Sequence, residues 1–239
     1  MGHCPVKESQ MQNDPRPQSP VNPLPPVVAA LFLLIVVVEL AFSAGARGLI
    51  GGPGAVGWRQ QAIQTYAFNS DIFSWMIQNG IYPLEHVMRL LSFPFLHGGF
   101  THALFSGVLL LALGKFVGDV FSQLAVLAVF ILSAMAGAVV YGLLNPAQPW
   151  LMGAFPGVYG LIGAFTYLMW LKLGQAGAQK LRAFTLIGVL MGLQLTFGLL
   201  FGANTNWVAD VSGFVAGFAL SVFVAPGGWR NLRERIRHR

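Results

Sequence analysis

Apolar residues gather into six runs of about twenty positions each, and the first two runs are separated by a long connection of mixed polarity. The runs lie at 27–46, 100–120, 124–144, 151–171, 183–202 and 206–225, and each predicts one membrane-crossing helix. Together they predict an all-α membrane protein, a six-transmembrane-helix bundle occupying 27–225. Residues 1–26 are polar and hold Pro5, Pro15, Pro17, Pro20, Pro23, Pro25 and Pro26, which predicts a disordered or extended tail. The apolar run after it starts too late and is too long for a signal peptide. Val6 stands where a myristoylation signal at Gly2 needs Ser or Thr. Residues 226–239 form a second, basic tail.

The connection from Arg47 to Gly99 has no run long enough to span. Gly51-Gly52-Pro53-Gly54 breaks it early, and Trp58, Tyr66, Phe68, Phe73 and Trp75 then make a segment rich in aromatic rings. Such rings favour the membrane interface, where one edge stays wet, so this first loop is expected to be interfacial and partly helical. Leu84 to Phe95 predicts a further short helix.

Composition agrees with the pattern. Charged residues make up 9% of the chain and apolar ones 55%, against roughly 25% charged in an ordinary soluble domain. The net charge of +6 is uneven, with Arg230, Arg233, Arg235, Arg237 and Arg239 close to the end. A basic tail behind an apolar helix is a topology signal, whereas a nucleic-acid surface needs basic residues spread over a folded face. Lys172, Lys180 and Arg182 make the loop after the fourth run basic, and 145–150 and 202–206 hold no cation. The positive-inside rule then places both termini in the cytoplasm. One cysteine, Cys4, excludes an internal disulfide.

The chemistry concentrates in three runs. In the fourth, Gly153, Gly157, Gly160 and Gly163 fall within three turns, a spacing that lets helices approach closely and puts this run at the bundle centre. Gly213 and Gly217 repeat the device in the sixth, and Asp210 precedes them. His97 and His102 flank the start of the second run. In the bundle, His102, Phe155 and Asp210 each fall about one turn into a helix, at a common depth of about 5–8 Å, and Asp210 and His102 are expected to form a buried polar pair there. Glu39 is an ionisable group within the first run, expected to be hydrogen-bonded inside the bundle. His97, His102 and Asp210 lack the helical spacing of a metal site, so neither metal nor cofactor is expected. A transporter is disfavoured, because only Glu39 and Asp210 are ionisable deep in the runs and no repeat between halves is visible.

Leu151 to Tyr167 resembles the fourth helix of the rhomboid intramembrane proteases, with Gly153-Ala154 opening the pattern and Tyr159-Gly160-Leu161-Ile162-Gly163 completing it. His97-x4-His102-x3-Ser106 is similar to the rhomboid second helix, with Ser106 replacing an asparagine. Ala209-Asp210-x2-Gly213-x3-Gly217 is similar to the sixth, and Trp58-Arg59 matches a Trp-Arg pair of the first loop. The resemblance implies a rhomboid-like bundle in a bilayer, here a bacterial inner membrane. It also implies that Phe155 stands for the nucleophilic serine, Pro156 for the glycine after it, and Asp210 for the histidine base. A phenyl ring cannot attack a carbonyl, and proline offers no N–H. The expectation is a non-catalytic rhomboid-like protein, a pseudoprotease binding other transmembrane proteins as an assembly or quality-control factor or complex subunit. The alternative is an intramembrane serine protease with a displaced nucleophile, Ser106 or Ser212.

Overall fold

The computed structural model describes residues 23–144, 148–201 and 206–225. Most of both predicted tails, Cys4 and the turns at 145–147 and 202–205 lie outside the described residues.

Helix α1 (Pro26–Ala46) leads into the first loop, whose helices are α2 (Trp58–Tyr66), α3 (Ser70–Asn79), α4 (Leu84–Val87) and α5 (Arg89–Ser92). Then follow α6 (Phe100–Gly118), α7 (Gln123–Leu144), α8 (Phe155–Gln175), α9 (Thr185–Phe201) and α10 (Trp207–Val224). Four of these, α1, α6, α7 and α10, are long and apolar enough to cross a membrane. In α8, of 21 residues, glycine, tyrosine and threonine dilute the apolar character, and α9 has 17 residues.

The fourth predicted run began at 151, four residues ahead of the helix that forms. The structure corrects this boundary, because Trp150 and Leu151 form a short strand, β2. It pairs antiparallel with β1 (Phe68–Asn69), Phe68 opposite Leu151 and Asn69 opposite Trp150. Asn69 also caps α3, its Oδ1 accepting from the Ile72 N–H at 3.0 Å. The first loop is thereby stitched to the segment that launches α8. Gly153 then turns the chain at φ +104°, a conformation that disfavours any side chain.

Helix α8 is the hub. From Pro156 to Ala164 every residue is buried, and its broadest contact is with α10, followed by α7. Small residues make this possible. A Cβ on Gly217 would overlap the carbonyl of Gly160, and one on Gly213 the carbonyl of Pro156. A Cβ on Gly163 would overlap the Phe214 carbonyl from the opposite side. The backbones of α8 and α10 therefore touch along about two turns, a crossing closed to any larger side chain. The helix of Gly157 thus packs on the helix of Gly213 as the glycine spacing predicts, while Gly157 itself faces α7, where a Cβ would sit 2.8 Å from the Phe130 ring. Among the described residues, α9 meets α8 over a much smaller contact than α10 or α7 does.

Candidate functional site

Three helices, α6, α8 and α10, begin at the same end of the bundle. His102 lies in the first turn of α6, Phe155 opens α8, and Asp210 lies in the first turn of α10. All three line one cavity of about 670 Å³, with Trp150, Met152 and Gln194 among its other walls. The Phe155 ring lies nearly flat on the His102 imidazole, centroids 5.3 Å apart and planes 15° from parallel. His102 in turn meets His97 edge-on at 5.0 Å. Gly153 makes room for this group, since a Cβ there would stand 2.6 Å from the His102 ring.

His97 lies beneath, fully buried in the segment before α6. The Ala154 N–H, at the start of α8, donates to its Nε2 at 3.3 Å, and Ser106 Oγ lies 2.9 Å from the same nitrogen. Accepting from a backbone N–H requires an unprotonated Nε2, so the neutral ring carries its proton on Nδ1. Burial, and then His102 beside it, push His97 down from 6.5 to about 4. Glu39 and the Phe95 carbonyl favour the protonated ring but are outweighed.

A pH dependence follows with a definite sign. The folded value lies below the unfolded one, so unfolding takes up protons in acid. Stability from neutral His97 is complete above pH 6.5 and is lost as pH falls through about 4, a loss on the order of 3 kcal/mol. Melting temperatures in detergent should fall across this window, and His97→Gln should flatten the profile. Superimposable profiles for the two proteins would refute the assignment.

Behind His97 stands an ion pair that joins two features read separately in the sequence. Arg59 Nη1–H donates to Glu39 Oε2 at 2.8 Å, and Nη2–H to Oε1 at 2.7 Å. Arg59 Nη1 also donates to the His97 carbonyl at 2.7 Å, and the Ser43 hydroxyl donates to Glu39 Oε1 at 2.9 Å. Phe42 lies under the guanidinium, 5.5 Å from its ring centroid. The neighbouring Trp58 packs over Gly45 and Gly51, which anchors the first loop to the end of α1.

Asp210 is 4% exposed, and its partner differs from the one its depth suggests. His102 shares its cavity, yet the hydrogen bond at Asp210 Oδ2 comes from Gln194 Nε2 at 2.8 Å. Gln194 Oε1 accepts from the Tyr159 hydroxyl at 3.0 Å, so Tyr159, Gln194 and Asp210 link α8, α9 and α10. Sequence reasoning missed Gln194. Its signal was a lone carboxamide inside the apolar run of α9, where only a polar partner from another helix makes such a residue favourable. The two candidate displaced nucleophiles stand elsewhere. Ser106 is fully buried against His97, Ser212 is half-buried on α10, and neither is among the residues lining the cavity.

The family model of the rhomboid domain matches residues 84–227, more than half of the chain, and that region includes His97, His102, Phe155 and Asp210. The chain belongs to the rhomboid family. A search of the curated proteins gives no significant match. With its apolar helices, this rhomboid is an integral membrane protein whose surroundings are a lipid bilayer. Helix α1, Trp58 and Arg59 precede the matched region, and the Glu39–Arg59 pair ties them to it through the His97 carbonyl.

Proposed function

We propose that this rhomboid is a non-catalytic member that binds another membrane protein at the cavity above His102, Phe155 and Asp210. One observation carries the reading: the ring at the position of the family nucleophile is stacked on His102, with about 670 Å³ left open beside it. Two substitutions and one hydrogen bond argue against acyl transfer at that point. Phe155 supplies no oxygen, Pro156 has no N–H, and the Ala154 N–H is engaged by His97 Nε2. What persists is a walled recess whose α9 side is thinly packed, a place for a partner segment to enter. All six long helices then cross the membrane, α8 and α9 being about 31 and 26 Å long at 1.5 Å per residue. The basic loop Lys172 to Arg182 and the arginine-rich tail support an orientation with both termini on the cytoplasmic side, in this reading of a bacterial inner membrane, and the cavity opening at the outer side.

A photo-crosslinking phenylalanine analogue at Met152, on the cavity wall, should join the protein to a membrane-protein partner in native membranes. The same group at Val189, exposed on α9, should not. Equal adducts from both positions, or none from Met152, would sink the binding reading.

The other reading, a protease with a displaced nucleophile, draws on the 2.9 Å contact between Ser106 and His97. Purified protein should remain unlabelled by serine-directed fluorophosphonates and leave rhomboid substrates intact. Labelling abolished by Ser106→Ala or Ser212→Ala would establish the protease instead.

A further inference from the structure

We infer that the cavity receives a cationic group, a lysine ammonium or an arginine guanidinium, carried on the peptide segment of the partner, with Asp210 as its counter-charge. This rests on the binding reading above and names the chemistry of what binds. Among the described residues, the other buried acid, Glu39, has Arg59, and on the surface Asp119 has Lys115 at 2.7 Å. Asp210, equally buried, is held by a neutral carboxamide. Among the described residues no Lys or Arg lines the cavity, and none occurs in 145–147 or 202–205, the neighbouring stretches of sequence. His102 is the one titratable neighbour on the wall. Its ring faces are taken up with Phe155 and His97, and it makes no hydrogen bond to Asp210 among the described residues.

The remaining polar capacity of the wall points the same way. Gln194 gives its N–H to Asp210 and its oxygen to Tyr159. Asn206 Oδ1, on the same wall, is a buried acceptor with no hydrogen-bond partner among the described residues. An incoming donor with several N–H groups reaches both acceptors, and one that also carries a positive charge balances the Asp210 carboxylate, which a neutral amide or an anion does not. Trp150 and Phe155 add aromatic surface of the kind that attracts ammonium and guanidinium groups, and the volume exceeds that of a lysine side chain. The first turn of α10 is also a favourable place for the carboxylate that such a cation would meet.

The test is calorimetric titration of the full-length protein in detergent with two capped peptides, acetyl-Leu-Lys-Leu-amide and its norleucine analogue, which keeps the length and removes the charge. The lysine peptide should bind at least about tenfold more tightly, the scale of one charge-assisted hydrogen bond. Asp210→Asn should bring the ratio to about one. Because that variant can fail to fold, Gln194→Lys is the second arm. Its ammonium reaches Asp210 from a position already 2.8 Å away and should abolish the preference by occupying the counter-charge. Equal affinities in the unaltered protein, or a preference that survives in either folded variant, would overturn the inference. n-Butylamine that binds as tightly as the lysine peptide would overturn the peptide as the source of the cation. Failure of the crosslink at Met152 sinks the binding reading, whereas failure here with the crosslink intact sinks only the cation.

Discussion

Gly217→Ala should sharply lower the melting temperature of this rhomboid in detergent, although the change adds a single methyl group. Helix propensity alone predicts a gain of about 0.5–1 kcal/mol from replacing a glycine inside α10. Against it stands the Gly160 backbone, which the new Cβ would overlap and which cannot rotate away as a side chain can. Forced overpacking costs about 1–3 kcal/mol where side chains can adjust, so a backbone-on-backbone clash at the hub belongs at or above that upper end. Gly188→Ala supplies the contrast, since nothing lies within 4 Å of its Cβ and the propensity gain should emerge unopposed. Melting temperatures should therefore move in opposite directions for the two variants. Matching shifts would mean that α8 and α10 do not touch as described. The same crossing sets the cavity, because it holds Phe155 and Asp210 on adjacent helix starts.

Arg59→Ala is expected to be nearly as damaging, by about 3 kcal/mol, near the lower end of the cost of stranding a buried charge because the arginine keeps some solvent contact. The change leaves Glu39, 3% exposed, with only the Ser43 hydroxyl, and removes the donor from the His97 carbonyl. Arg59→Lys should recover only part of the loss, since a point charge cannot reproduce the two parallel bonds to both carboxylate oxygens. Pairing Arg59→Met with Glu39→Gln should cost less than the sum of the single changes, because the double variant strands neither charge. Strict additivity would show that the two residues do not share a bond. A consequence for function is expected as well. The pair reaches the cavity through His97, which positions Ala154 at the start of α8, so Arg59→Ala should also weaken the partner crosslink at Met152.

Much of this molecule was legible in one dimension because a bilayer constrains it in one dimension. Runs of apolar residues announce helices wherever lipid forbids unpaired backbone, and glycine spacing announces where two of them meet. Family membership was readable from Gly153, Tyr159, Gly160, Gly163, Gly213 and Gly217, and at Gly163, Gly213 and Gly217 the reason is a crossing with no room for a side chain. That His102, Phe155 and Asp210 share a depth followed from helix rise and span boundaries. Tertiary structure decided which groups bond across elements. Glu39 found Arg59 twenty positions away, Asp210 found Gln194 rather than His102, and Gly157 turned to α7 rather than α10. It also moved the start of α8 to Phe155, because Trp150 and Leu151 found a strand partner in Phe68 and Asn69. Depth along a helix is set by residue count, but the direction in which a side chain points depends on rotation about the helix axis. That rotation is settled only when every helix packs at once.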